Sequence, residues 1–60
     1  MNWIDASQKP KTDEDCLVVF TTDGQDRHLR APVVWTGSEW LDEWGNHPWV
    51  VLWLPIPKIV

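Results

Sequence analysis

The sequence has little of several things that whole classes of protein need. It contains one cysteine, Cys16, no tyrosine, and five lysines and arginines against nine aspartates and glutamates. A single cysteine cannot close an intramolecular disulfide, which argues against a disulfide-stabilised secreted protein. No Lys or Arg occurs from Ala31 to Pro57. Binding to a phosphate backbone generally needs a basic face, so we do not expect nucleic acid as a partner.

Long apolar runs and catalytic clusters are also missing. No apolar run approaches the roughly 18 residues of a membrane span, and the polar N-terminus does not resemble a signal peptide, so we expect a soluble intracellular protein without membrane contact. We expect Cys16 to be an inert buried thiol, and His47 beside Asp42 and Glu43 to lie in a solvated loop. The sequence therefore predicts no enzyme, no cofactor and no metal. Sixty residues allow one small domain, 1–60.

Tryptophan is what the chain has in abundance, with six residues. Each indole can bury roughly 150 to 250 Å², so we expect tryptophan to form much of a small core. A chain of this length is not expected to bury all six. One or two should lie on the surface, where tryptophan is a common anchor of protein interfaces. The six are Trp3, Trp35, Trp40, Trp44, Trp49 and Trp53.

The residue pattern predicts an all-β chain. Apolar, β-branched and aromatic residues fill the segments near 16–22 and 49–54, while apolar and polar residues alternate near 27–36. A further short strand is expected near 39–42. We predict a three- to four-stranded antiparallel meander or an SH3-like half-barrel, with at most one short helical turn near the N-terminus. The segments near 16–22 and 49–54 are apolar on both faces, so we expect both faces to be buried.

The first turn predicts a strand register. A loop of two or four residues centred on residues 23–24 places Val18 opposite Leu29 and Cys16 opposite Ala31. The alternation in the second strand then puts Leu29 and Ala31 on one apolar face, together with later apolar residues of that strand. Local turn chemistry and the apolar pattern agree in this register.

The second turn predicts a pair of tryptophans. Gly37-Ser38 suits a two-residue hairpin loop that places Trp35 opposite Trp40. We further expect Trp53, inside the last apolar run, to lie in the core near Val18 or Trp35.

The order of these motifs resembles the short tryptophan-rich proteins of unknown function that tailed phages and prophages encode. The family has a Trp-Ile start, a proline, a valine-rich strand and a Trp-x-Pro-Leu-Pro end. This chain departs from it at Leu52, where the family usually has histidine, and at Ile56, where it has leucine. The resemblance implies a small β fold and a viral origin, without an activity. The matching residues are Trp3-Ile4, Pro10, Cys16–Val19, Trp35, Gly37, Trp40, Asp42, Gly45 and Val51–Pro57.

The acidic segment around Trp44 is the candidate partner-binding surface. An exposed indole among carboxylates suits a partner rich in Arg or Lys. We expect a non-enzymatic phage accessory protein that binds and modulates a host or defence-system protein. The alternatives are a Trp44 that closes the end of the sheet as a lid, a nucleic-acid or nucleotide binder that stacks bases on exposed tryptophan, and a homo-oligomeric structural module, for which a homodimer is one form. The candidate contact residues are Trp44, Glu39, Asp42, Glu43, Pro55 and Pro57.

Overall fold

The computed structural model describes residues 2–57, which form a single five-stranded sheet without a helix. All neighbouring strands are antiparallel, and their order is β1-β5-β2-β3-β4, with β2 in the centre. The predicted all-β class is confirmed. The fifth strand, near the N-terminus, was not expected; it forms because Ile4 and Asp5 pair with Trp53 and Leu52. The strands are β1 (Ile4–Asp5), β2 (Cys16–Thr21), β3 (His28–Trp35), β4 (Trp40–Asp42) and β5 (Trp49–Pro55).

One face of the sheet carries the core. The Trp40 ring lies at its centre, with its centroid 5.5 Å from that of Trp35 and 6.3 Å from that of Trp53. Trp53 is 6% exposed and pairs with Val18, which confirms its predicted place in the core. The buried apolar residues are Cys16, Val18, Phe20, Val33, Trp40, Val50 and Trp53.

The segment after β1 covers this core face. Ala6 packs against the core cluster, and the carbonyl of Gln8 accepts a hydrogen bond of 2.7 Å from Nε1 of Trp53. The ammonium group of Lys9 lies 4.9 Å from the ring centroid of Trp35, within the range of a cation–π contact. The N-terminal segment therefore supplies the second layer that the core face needs.

The first hairpin has a different register from the predicted one. Val18 pairs with Arg30 and Cys16 pairs with Val33, so the predicted partners Leu29 and Ala31 are wrong. The connection is not the short turn that we expected, because it spans residues 22–27. Moving the pairing by one residue turns each side chain of the strand to the opposite face.

The side chain of Asp26 determines the length of this loop. Its carboxylate accepts hydrogen bonds from the hydroxyl of Thr21 at 2.6 Å and from the amide of Thr22 at 2.7 Å. The amides of Gln25 and Asp26 bond in turn to the carboxylate of Asp23. These contacts stabilise a longer connection than the dipeptide Asp23-Gly24 alone would indicate.

A bulge divides β3 into two halves. Between the pairs Val18–Arg30 and Cys16–Val33, one residue of β2, Leu17, stands against two of β3, Ala31 and Pro32. Arg30 therefore shares the core face with Val18, and Val33 takes over that face after the bulge. The prediction that Leu29 and Ala31 lie on the apolar core face is wrong, since both are exposed.

The second hairpin matches its prediction. Trp35 pairs with Trp40 and Val34 pairs with Leu41. Gly37 has a φ of +103°, a conformation that glycine adopts without the steric cost that a side chain would add.

Candidate functional site

Trp44 lies on the tight turn that follows β4. The carboxylate of Asp42 stabilises this turn, because its Oδ1 accepts hydrogen bonds from the amides of Trp44 at 3.0 Å and Asn46 at 2.8 Å. The amide of Gly45 donates to the carbonyl of Asp42 at 3.2 Å. The Trp44 side chain is 65% exposed. Of the two positions considered for this indole, the structure therefore supports the exposed one.

Arg30 supports the Trp44 ring from the sheet. Its guanidinium carbon lies 5.0 Å from the ring centroid of Trp44 and 4.7 Å from that of Phe20. Its Nη1 donates to Oδ2 of Asp42 at 2.7 Å. Phe20 and Asp42 are both buried. Arg30 is therefore fixed by two core residues while it contacts the exposed indole. A cation–π contact at such a site contributes about 0.5 to 1 kcal/mol.

Asp42 acts inside this arrangement and does not face a partner. Only 5% of the residue is exposed, which corrects the expectation that its charge faces solvent. Burial alone would raise the pKa of Asp42, but the amides of Asn46 and Trp44 and the Arg30 guanidinium together hold the pKa below its ordinary value. The carboxylate is therefore ionised at neutral pH and keeps both the turn and Arg30 in place.

The other acidic candidates, Glu39 and Glu43, face solvent. Oε2 of Glu39 lies 3.4 Å from Nδ1 of His47, and the same nitrogen lies 3.0 Å from the carbonyl oxygen of Trp40. Two exposed carboxylates thus flank β4, one at each end. Glu43 is the chain neighbour of Trp44, whereas Glu39 lies at the other end of β4, beside His47.

The structure does not bring Pro55 and Pro57 to Trp44. Pro55 pairs with Cys16, in the row of the sheet that also contains Asp42. After this row, the chain that leaves β4 continues towards Arg30, whereas the chain that leaves β5 continues in the opposite direction. There the amide of Ile56 donates a hydrogen bond of 3.0 Å to the carbonyl of Asp15. Both prolines are exposed, but the predicted contact residues divide into two separate surfaces.

The face of the sheet opposite the core is a further candidate surface, which the sequence assigned to the interior. Val19 pairs with both Leu29 and Leu52, and directly opposed residues of antiparallel strands share a face. Leu29 is 65% exposed. Val19 and Leu52 are half-buried, so the expectation that both faces of β2 and β5 are buried is correct only for the core face. We call this surface the open face; it consists of Leu17, Val19, Leu29, Val34, Leu41, Leu52, Leu54 and Trp49.

Trp49 extends the open face towards the loop at residues 22–27. It pairs with Thr21, and its ring lies against Gly24, where an added Cβ would be 3.5 Å from the indole. The side chain is nevertheless 59% exposed. The alternation of side chains along the sequence could not predict that Trp49 lies on this face. The register of β5 shifts between the partners of Val19 and Phe20, which moves the residues before Val51 to the opposite face.

The surroundings of Cys16 agree with the prediction of an inert buried thiol. The side chain is fully buried, and burial, together with the carboxylates of Glu14 and Asp15, raises its pKa to about 11. The thiol is therefore protonated at neutral pH and is a poor nucleophile. Within residues 2–57, no cluster of three or more His, Cys, Asp or Glu is arranged to hold a metal, and no pocket is enclosed.

Comparisons with protein-family models, curated proteins and solved structures give no match. The resemblance to phage-encoded proteins therefore stays a prediction. In the described part of the chain, no helix has the length and apolar character to span a membrane.

Proposed function

We propose that this chain is a non-enzymatic accessory protein of phage or prophage origin that binds a host or defence-system protein in the host cytoplasm and alters its activity. The contact is made by Trp44 with the carboxylates of Glu39 and Glu43. The observation that supports this proposal is the state of Trp44, which is 65% exposed and yet held by Arg30 at 5.0 Å.

An exposed indole in a fixed position is suited to anchor a protein partner. Tryptophan is among the residues that contribute most to binding when they are covered in an interface. Immobilising a free side chain upon binding costs about 0.5 to 1.5 kcal/mol. The contact with Arg30, itself bonded to Asp42, removes part of that cost because it orders the Trp44 ring before the partner arrives.

The charge around Trp44 favours a basic partner. Glu39 and Glu43 are exposed, and the whole chain has a formal charge of −4. Arg or Lys side chains of a partner could stack on the indole and pair with these carboxylates, and long-range attraction would speed the encounter. A nucleic acid is disfavoured, since the cation beside Trp44 is Arg30, whose Nη1 is bonded to Asp42.

The proposal is tested by capture from host lysate followed by calorimetry with the purified partner. The unmodified chain should recover one protein in stoichiometric amount, and Trp44→Ala should weaken its binding by at least about tenfold. Trp49→Ala is the matched control, because it removes an indole of similar exposure, 59%, from the open face; it should bind the partner normally. Recovery of no stoichiometric partner, or binding that depends on Trp49 and not on Trp44, would contradict the proposal.

A nucleic-acid ligand is tested separately. Titration with single-stranded oligonucleotides at low salt should leave the tryptophan fluorescence unchanged. Saturable quenching that disappears in Trp44→Ala would favour the base-stacking alternative instead.

A further inference from the structure

β3 has a neighbouring strand on both sides only over its second half. β4 pairs with residues 33–35 alone, so within residues 2–57 the stretch 28–32 has no strand on the side away from β2. The chain after β4 does not continue along this stretch, because the amide of Asp42 donates to the carbonyl of Asn46 at 3.0 Å and the chain turns back. We call residues 28–32 the β3 edge.

The backbone groups of Leu29 point to this edge. The residues of a strand in an antiparallel sheet direct their N–H and C=O groups alternately to its two sides. The amide of Ile56 donates to the carbonyl of Asp15, so Asp15 and every second residue after it bond to β5, and Val18 bonds to β3. Val18 pairs with Arg30. The backbone of Arg30 is therefore directed to β2, and the N–H and C=O of Leu29 are directed outward.

The exposed Trp44 ring stands beside the same edge. It lies 5.0 Å from the guanidinium carbon of Arg30, the residue next to Leu29 in β3. Leu29 is itself 65% exposed, on the open face. Because successive side chains of a strand point to opposite faces, the β3 edge has an apolar side chain on one side of the sheet and the indole on the other.

We propose that the partner adds an extended segment to the β3 edge as a further strand and contacts Trp44 with one of its side chains. An unpaired N–H and C=O in strand conformation are complementary to an extended backbone. This inference rests on the proposed function, since it states how the partner reaches Trp44. The bulge and Pro32, which has no N–H, end the regular edge. The backbone pairing is therefore short, and binding also needs the contact with Trp44.

The two sides of the edge determine the chemistry of the segment. Its residue opposite Leu29 lies on the open face, where an apolar side chain covers the exposed leucine. The adjacent residue points to the other side, where it reaches Trp44. The charge of Arg30 is balanced there by Asp42 at 2.7 Å, while Glu43, next to Trp44 in the chain, is exposed. Arg or Lys suits this position, so apolar and basic residues alternate in the segment.

A second copy of the chain fits this edge less well. A two-fold pairing of two β3 edges centred on Arg30 would place two guanidinium groups opposite each other, which is destabilising. A pairing centred on Leu29 would place His28 of the second copy opposite Arg30, beside Trp44, where Glu43 favours Arg or Lys. A segment of another protein is not restricted to these two registers.

Amide hydrogen exchange tests whether the β3 edge is unpaired. The amide of Leu29 should exchange at least about tenfold faster than that of Val18, which is bonded to β3. A Leu29 amide as protected as that of Val18 would overturn the proposal, because its N–H would already be engaged.

The probe for the added strand is the blocked heptapeptide Thr-Lys-Val-Arg-Val-Lys-Thr. Titrated into the isotope-labelled chain, it should shift the NMR signals of residues 28–31 and of the Trp44 indole, with a dissociation constant on the order of 1 mM. The same peptide with N-methyl groups on its central residues keeps its side chains but cannot pair, so it should bind at least about tenfold more weakly. Equal binding of both peptides, or shifts confined to other residues, would overturn the proposal.

Backbone methylation of the synthesised chain gives a matched pair of variants. An N-methyl group on the Leu29 amide should weaken peptide binding at least about tenfold. The control is an N-methyl group on Asp5, whose amide is directed away from β5, because the neighbouring Ala6 donates to the carbonyl of Val51. Both variants should keep the circular dichroism spectrum. Equal binding by the two variants would overturn the proposal.

The same variants separate this inference from the proposed function. A captured partner that requires Trp44 but tolerates N-methylation of Leu29 would leave the proposed function intact and overturn the added strand. Peptide binding at Leu29 without any captured partner would support the strand-binding edge and contradict the accessory role. A dimer in sedimentation equilibrium that N-methylation of Leu29 abolishes would make a second copy the occupant and overturn the proposal.

Discussion

Arg30 and Asp42 form an ion pair of 2.7 Å in which the Asp42 side chain is fully buried and that of Arg30 is 30% exposed. The pair joins the core to the surface, because Arg30 contacts both the buried Phe20 ring and the exposed Trp44 ring. The sequence could reveal Trp44 as an indole outside the strand pattern. It could not reveal Arg30, since the predicted register turned Arg30 away from the core. Proline within a strand is typical of an edge or a bulge, but Pro32 alone does not specify the register of the residues before it.

The depressed pKa of Asp42 predicts a loss of stability in acid. Hydrogen bonds and Arg30 hold this pKa below its ordinary value of 3.8 despite burial, so below that value the unfolded chain binds the proton more readily than the folded one. Asp26 contributes in the same direction, because hydrogen bonds from Thr21, Thr22 and His28 lower its pKa. Their stabilisation is complete above about pH 5 and is lost progressively as the pH falls below about 4.

Urea melts at a series of pH values test this dependence. Asp42→Asn should be less stable than the unmodified chain at pH 7, and the difference should shrink as the pH falls below about 4. Glu43→Gln removes one negative charge from an exposed position and serves as the control. A difference between Asp42→Asn and the unmodified chain that stays constant down to about pH 2 would contradict this role of the carboxylate.

The two hairpins show which elements a sequence can specify. The second was predictable because Gly37-Ser38 and the pair Trp35–Trp40 agree on one register. The first was not, because its loop is organised by the side chain of Asp26, which bonds to residues on the preceding strand and turn. Turn propensities of Asp reflect side-chain contacts about two residues along the chain, whereas Asp26 reaches back to Thr22 and Thr21, four and five residues earlier.

Gly37 should be essential to the second hairpin through its backbone conformation. A Cβ at this position would lie 3.8 Å from Oγ1 of Thr12, an ordinary contact, so the cost of Gly37→Ala comes from the φ of +103°. We expect a loss of about 1 kcal/mol or more in the free energy of unfolding. A chemically synthesised chain with D-alanine at position 37 favours positive φ and should be at least as stable as the unmodified chain in urea melts. Equal losses for both alanines would refute this explanation.

At the scale of the whole molecule, the sequence predicts that both faces of the sheet are apolar. It does not predict which segment or molecule packs against each face. Uninterrupted runs such as Trp49–Leu54 are typical of strands buried on both sides. A run of this kind shows that a face is apolar and carries no information about which chain packs against it. Here the N-terminal segment covers one face, through Ala6 and the carbonyl of Gln8.

Urea melts of Trp53→Ala and Trp44→Ala test most directly the division of this molecule into a closed core face and an exposed anchor. Trp53 is 6% exposed and donates a hydrogen bond to Gln8, so its truncation should cost about 3 to 5 kcal/mol. A domain of this size has roughly 3 to 9 kcal/mol in total. Trp53→Ala should therefore be largely unfolded at room temperature, whereas Trp44→Ala should lose less than about 1.5 kcal/mol. A stable Trp53→Ala beside an unfolded Trp44→Ala would contradict both the core and the binding surface described above.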